Sequence, residues 1–171
     1  MNKLHPGEPF PHLTADSIPH GQVTLPEQVR AGHYGVMLVY RAHWCGYSRH
    51  QLLDFQNHLP ELEEAGGDLF ALSTDSFQNA KKTVELLNLT FPVLYGLEGA
   101  KTAHALGAYH ETLRNIIQPA HFVLDLDRTI AQVLVSSGPM GFVSAEDSVR
   151  YVKDVRDHGV HVANIGRDHP H

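Results

Sequence analysis

The chain contains one cysteine, Cys45, in the run Tyr40-Arg41-Ala42-His43-Trp44-Cys45-Gly46-Tyr47-Ser48. An apolar, partly β-branched stretch, Val36-Met37-Leu38-Val39-Tyr40, precedes it, and a segment with helical spacing begins near Gly46. This places a thiol where a buried strand hands over to the N-terminus of a helix. Four backbone N–H groups lack intrahelical partners there, and the helix dipole favours negative charge. Such surroundings bring a cysteine pKa from about 8.5 down to roughly 3.5–7.5, and the thiolate is the reactive form. The chemistry on offer is attack by sulfur on a peroxide oxygen or on a disulfide. The competing reading is an inert core cysteine, since free cysteine is among the most buried residue types. The strand-to-helix turn and the adjacent Trp44 weigh against it.

Three further side chains bear on that sulfur. Ser48 lies three residues on and shares a helix face with Cys45. Its hydroxyl can donate to a thiolate, but it cannot resolve a mixed disulfide as a second thiol would. An adduct on Cys45 therefore needs an outside thiol to clear it. The plain alternative is a helix-surface serine. Arg41 and His43 flank the turn, and either can add positive charge. Arg41 is the better candidate because it stays charged at every relevant pH; as the alternative, each is a solvated loop residue. Trp44, Gly46 and Tyr47 are candidates for the substrate side, with Phe91 either joining that apolar wall or lying in the core. Asp75, Asp125 and Asp127 read as cap and turn residues.

The wider composition narrows the function classes. The 171 residues suit one domain, and 42% are apolar, enough for an ordinary core. A net charge of -6 speaks against nucleic acid and anionic membranes as partners. No run approaches the roughly 18 apolar residues of a membrane span, and the N-terminus lacks a signal-peptide core. A single cysteine makes no internal disulfide, which fits a reducing compartment. The expectation is a soluble, cytoplasmic protein. Fourteen histidines are scattered from His5 to His171, closest together in the tail. Solvated surface histidine is the simple reading. A metal-handling role is the weaker one, because a firm zinc site needs four convergent ligands. No metal site or cofactor is assigned.

The elements that must position Cys45 follow from punctuation and periodicity. The proline-rich first thirty residues read as extended chain and turns, with short strands near 9–13 and 22–24. A short helix is expected from Pro26 to Arg30. Residues 34–41 form an unalternating apolar strand, the pattern of one buried on both faces. A helix follows from Gly46 to about Glu64, kinked or broken at Pro60. Residues 68–74 give a strand and the segment to Leu87 a helix capped by Asp75 or Ser76. Residues 91–95 give a strand and 98–106 a helix ended by Gly107. Residues 121–125 and 129–136 form an antiparallel hairpin, and a last helix starts at Ser144. Residues 1–158 are expected as one domain and 159–171 as a flexible His-rich tail. The order predicts an α/β domain with helices on both faces of one mixed sheet.

These segments carry a likeness. The chain resembles the peroxiredoxin-like branch of the thioredoxin superfamily, the alkyl hydroperoxide reductase/thiol-specific antioxidant or redoxin group. The likeness rests on Pro6-Gly7-Glu8-Pro9-Phe10-Pro11, the turn from Val39 to Ser48, Leu72-Ser73-Thr74-Asp75-Ser76, Phe91-Pro92-Val93-Leu94, Ala105-Leu106-Gly107 and residues 118–125. The Cys45 turn is similar to the variant Tyr-Arg-x-x-Trp-Cys-Pro-x-Cys, with Ser48 at the second cysteine. Laid on the commoner Pro-x-x-x-Thr-x-x-Cys pattern, Arg41 takes the proline position, Cys45 the threonine position and Ser48 the peroxidatic position. The resemblance implies a thioredoxin-like fold with an N-terminal extension. It also implies a one-cysteine thiol oxidoreductase that reduces peroxides and is restored by glutathione or a thioredoxin. It further implies that Gln118-Pro119 forms a cis-proline loop facing Cys45 and binding substrate. Relatives commonly pair, so a homodimer is an open expectation. The Cys-x-x-Ser arrangement keeps monothiol disulfide exchange open, and the missing second thiol keeps a non-catalytic thioredoxin-fold binding module open.

Overall fold

The computed structural model describes residues 3–160. Nine strands and five helices are built from it in chain order. The strands are β1 (Leu13–Ile18), β2 (Gly21–Leu25), β3 (Tyr34–Val39), β4 (Gly67–Leu72), β5 (Val93–Leu94), β6 (His110–Glu111), β7 (Ile116–Ile117), β8 (Ala120–Leu124) and β9 (Ile130–Val135). The helices are α1 (Gly46–Asn57), α2 (Leu59–Glu64), α3 (Phe77–Leu87), α4 (Gly99–Leu106) and α5 (Ala145–His158). Seven strands make one mixed sheet in the order β2-β1-β5-β4-β3-β8-β9, and β6 and β7 make a separate two-stranded ribbon.

β3 lies near the middle of the sheet, parallel to β4 and antiparallel to β8. All six of its residues are buried. Tyr34, Val36 and Leu38 face one core with Tyr40 beyond them, while Met37 and Val39 face the other. This two-sided burial is why the stretch is apolar without alternation. The first core is roofed by α1, α2, α3 and α5. The second is closed by α4, the β2 hairpin and the turn through Val29. The β1–β2 hairpin enters the sheet through β5 and forms the N-terminal extension.

Local chemistry sets most element ends. Pro60 occupies the second position of α2, where its missing N–H removes no helical bond, so the long helical segment is two pieces parting at His58. Ser76 caps α3 by accepting from the Asn79 amide, and Ser144 caps α5 by accepting from the Asp147 amide. Gly107 ends α4 at φ 65°, a left-handed conformation that costs glycine little. Two expectations are corrected. Residues 26–30 form a turn rather than a helix: Val29 N–H reaches Pro26 O, after which the Arg30 amide and side chain are drawn to Asp68. The first strand starts at Leu13, because residues ahead of it run across to β9, with Phe10 N–H bound to Arg128 O and Gly7 N–H to Ile130 O. Most of the proposed tail, 161–171, lies outside the described residues.

Not every histidine is at the surface. His121 of β8 faces the α1 and α5 layer, fully buried, with Nε2 2.9 Å from Ser148 Oγ of α5 and its ring 6.2 Å from that of Phe55. Burial pushes its pKa down to about 4. The folded protein holds it neutral, while the unfolded chain takes up a proton below about pH 6.5. Stability therefore falls as pH drops from about 6.5 towards 4. The contribution of this residue is about 3 kcal/mol, at about 1.36 kcal/mol per pKa unit. Urea unfolding at pH 7 and pH 4 should show that loss in the wild type. His121→Gln should be less stable at pH 7 and should show a smaller drop between the two.

Candidate active site

β3 ends at Val39, and Tyr40 N–H still pairs with Leu72 O of β4. The chain then turns through Ala42, whose carbonyl accepts the Cys45 amide, and the carbonyl of Cys45 accepts the Arg49 amide to open α1. Cys45 is thus the N-cap of α1, in extended conformation. The thiol stands at the strand-to-helix junction expected for it.

Arg41 is the centre of the arrangement. Its Nε donates to Gln118 Oε1 at 3.0 Å, and its Nη1 lies 3.5 Å from Cys45 Sγ. Its backbone N–H donates to Ser48 Oγ at 3.1 Å. Arg41 is 7% exposed and Ser48 fully buried, so neither is the solvated residue of the simpler reading. Because the Ser48 oxygen accepts from the Arg41 amide, its own hydrogen remains free for donation. Burial pushes the Cys45 thiol up. The Ser48 hydroxyl and amide, then the Arg41 guanidinium, pull it down by more, and it lies below the ordinary cysteine value.

The outer wall is asymmetric. Cys45 keeps 3% of its surface, whereas Trp44 is 40% and Tyr47 50% exposed. The Trp44 ring centroid lies 5.0 Å from the Arg41 guanidinium carbon and 4.7 Å from that of Arg114. Gly46 opens α1 at the surface beside them. Phe91 belongs to the core beneath α1 and is no part of this wall.

Gln118 is brought to the site, as expected, but through its side chain. The Gln118-Pro119 bond is not cis; the cis bonds of the described residues are Ile18-Pro19 and Leu25-Pro26. Gln118 N–H is bound to Tyr109 O, and Pro119 O accepts Ser136 N–H. These bonds hold the segment extended as it runs from β7 into β8, where the ordinary trans isomer fits.

Two neighbours of the site, Arg114 and Asp75, are not assigned to it by the sequence. Arg114 sits in the turn of the β6–β7 ribbon, some seventy residues from the cysteine. The ribbon is moored by Thr74 Oγ1 donating to Asn115 O, and within it His110 Nε2 lies 2.8 Å from Asn115 Oδ1. Asp75 reads as a helix cap, yet Ser76 caps α3 and Asp75 turns inward. It accepts the His43 amide at 2.8 Å, and its other oxygen lies 3.5 Å from His43 Nδ1. Burial raises the Asp75 pKa, against the pull of His43. Its role is to hold the turn that presents Cys45. Among the described residues, no three His, Cys, Asp or Glu side chains are grouped to hold a metal ion.

Removing the Ser48 hydroxyl in Ser48→Ala should raise the pKa of Cys45, and Arg41→Gln should raise it as well. The rate of iodoacetamide alkylation against pH measures both, and an unmoved midpoint in both variants would remove these donors from the account.

Comparison with solved structures places the architecture. Enterococcus faecalis AhpC is similar at 22% identity, with a TM-score of 0.77 over 95% of this chain and 99% of that one. Peroxidoxin BcpB from Mycobacterium tuberculosis is similar at 18% identity and a TM-score of 0.75, over 91% and 99%. A cysteine-to-serine mutant of peroxiredoxin 6 from Arenicola marina is similar at 18% identity and 0.77, over 90% and 74%. These likenesses show the shared fold. No curated protein sequence matches significantly. The sequence model of the AhpC/TSA family matches residues 6–133, so the chain belongs to the AhpC/TSA family of thiol-dependent peroxidases.

Proposed function

We propose that Cys45 is the sole redox centre of this thiol-dependent oxidoreductase and that it reduces small peroxides by a one-cysteine cycle. The observation that carries the reading is the contact of the buried Arg41 guanidinium with the sulfur of Cys45, a residue that is itself only 3% exposed. A peroxide is small enough to reach such an atom. A protein disulfide must bring its own sulfur in line with the attacking thiolate, which the burial of Cys45 opposes. That burial favours peroxide reduction over monothiol disulfide exchange.

The step balances on the residues present. Cys45 thiolate attacks one peroxide oxygen, the S–O bond forms and the O–O bond breaks. Sulfur is oxidised to sulfenic acid, and the leaving alkoxide or hydroxide takes a proton to become alcohol or water. The Arg41 guanidinium and the Ser48 hydroxyl, both set beside sulfur in the resting protein, offset the negative charge that spreads onto the peroxide oxygens. With serine at position 48, no second thiol within the chain captures the sulfenic acid. An outside thiol forms a mixed disulfide with loss of water, and a second thiol releases Cys45. A reducing, cytoplasmic setting supplies such thiols.

One equivalent of hydrogen peroxide should consume the thiol much faster than it consumes free cysteine and should yield a dimedone-reactive sulfenic acid. Cys45→Ala should reduce peroxide consumption to the buffer rate. The wild-type rate should fall as pH is lowered through the depressed thiol pKa, because protonation removes the nucleophile. A thiol no more reactive than free cysteine would leave the binding-module reading in its place.

A further inference from the structure

β3 and β8 run antiparallel, with Val39 opposite Ala120. Continued two residues beyond that last pair, the same register sets Arg41 opposite Gln118. Residues so opposed share one face of the sheet, and their side chains meet. Here they meet in the 3.0 Å bond from Arg41 Nε to Gln118 Oε1. Nε can only donate, so the amide must present its oxygen. Gln118 has little freedom to move away. It is 8% exposed, its N–H is bound to Tyr109 O, and the next carbonyl, that of Pro119, takes Ser136 N–H. Because a guanidinium is planar and rigid, fixing Nε also fixes where Nη1 lies, 3.5 Å from the Cys45 sulfur.

The acceptor carries no charge, and that is unusual. A buried arginine is ordinarily paired with a carboxylate. Among the described residues, the side-chain partners of Arg41 are an amide, a thiol and the Trp44 ring. Glu111 of β6 feels the charge of Arg41, but its oxygens are bound to the amide and Nε of Arg114. Asp75 is engaged with His43. The guanidinium is therefore held in place while its charge stays unmatched. Of the groups in contact with it, only the Cys45 sulfur can supply a negative charge. We propose that Gln118 is a positioning residue for Cys45, a neutral acceptor that fixes Arg41 against the sulfur without spending its charge. A glutamate at this place would hold the guanidinium in the same way and cancel it. The inference deepens the one-cysteine reading above and rests on it, because the thiolate that Gln118 favours is the nucleophile of the peroxide step.

Two substitutions of similar length separate the acceptor from its neutrality. Gln118→Glu keeps an oxygen facing Nε and adds a charge, whereas Gln118→Met removes the oxygen. The rate of Cys45 alkylation by iodoacetamide, followed against pH in the intact protein, reads both. Gln118→Glu should raise the midpoint by about one pH unit or more, the effect of a negative charge beside the cation that favours the thiolate. Gln118→Met should raise it by less, since the guanidinium keeps its charge and loses its hold. Gln132→Glu, the same change on β9 opposite Val123, should leave the midpoint in place. In an Arg41→Gln background, Gln118→Met should add no further rise, because Gln118 acts through the guanidinium. An unmoved midpoint in Gln118→Glu would overturn the inference. So would a rise from Gln118→Met that is as large without the Arg41 guanidinium as with it. If Gln118→Met does not fold, the midpoint of Gln118→Glu decides alone. Alkylation uses no peroxide. A wild-type thiol unreactive toward hydrogen peroxide would therefore count against the peroxide reading and leave the midpoints to decide the role of Gln118.

Discussion

A guanidinium taken out of water needs partners, and two nitrogens of Arg41 have them. One nitrogen is tied to Gln118 at the entrance of β8, another faces the Cys45 sulfur, and its backbone amide fixes the Ser48 oxygen in the first turn of α1. Three separate pieces of chain are thereby bound to one residue. Leaving such a charge unpaired would cost several kcal/mol, on the order of 3–5, so the geometry around sulfur is enforced by the same term that punishes its loss. The position that reads as proline in the commoner form of the motif here carries the charge that organises the site.

The layers behind the site serve that arrangement. β3 delivers Arg41 because it is sandwiched between two cores and cannot slip its register without turning every side chain to the wrong face. β4 runs beside it and ends in the segment carrying Asp75, which grips the His43 amide and sets the turn. α1 starts where that turn releases the chain, and its buried face of Ser48, Gln51, Leu52 and Phe55 keeps Ser48 pressed against the β3 end. The ribbon of β6 and β7 adds the exposed rim with Arg114.

Much of this was legible along the chain. The strand before Cys45, the helix after it, the break at Pro60 and the caps at Ser76, Ser144 and Gly107 follow from local chemistry. The thiol's placement follows from those elements together. Other parts were not, for physical reasons. Arg114 reaches the site through tertiary packing of a short ribbon whose strands have two residues each, too short for any periodicity to register. Asp75 was recognisable as a polar residue before a helix, but the choice between capping outward and turning inward depends on His43 across the sheet end. The buried state of Arg41 was hidden as well, since a lone arginine in a turn is ordinarily solvated and its acceptor, Gln118, lies far along the chain. The trans geometry at Gln118-Pro119 depends on bonds from Tyr109 and Ser136, neither of them a neighbour in sequence.

The chain has a single tryptophan, and it is the half-exposed residue between the two arginines and directly before the cysteine. An indole's emission responds to the electric field across its ring, and Arg41, which lies against both that ring and the Cys45 sulfur, couples the field to what happens at sulfur. The protein therefore has its own optical gauge: light at the red edge of the indole band, where the six tyrosines do not absorb, reads that one ring and reports on the neighbouring thiol without a label.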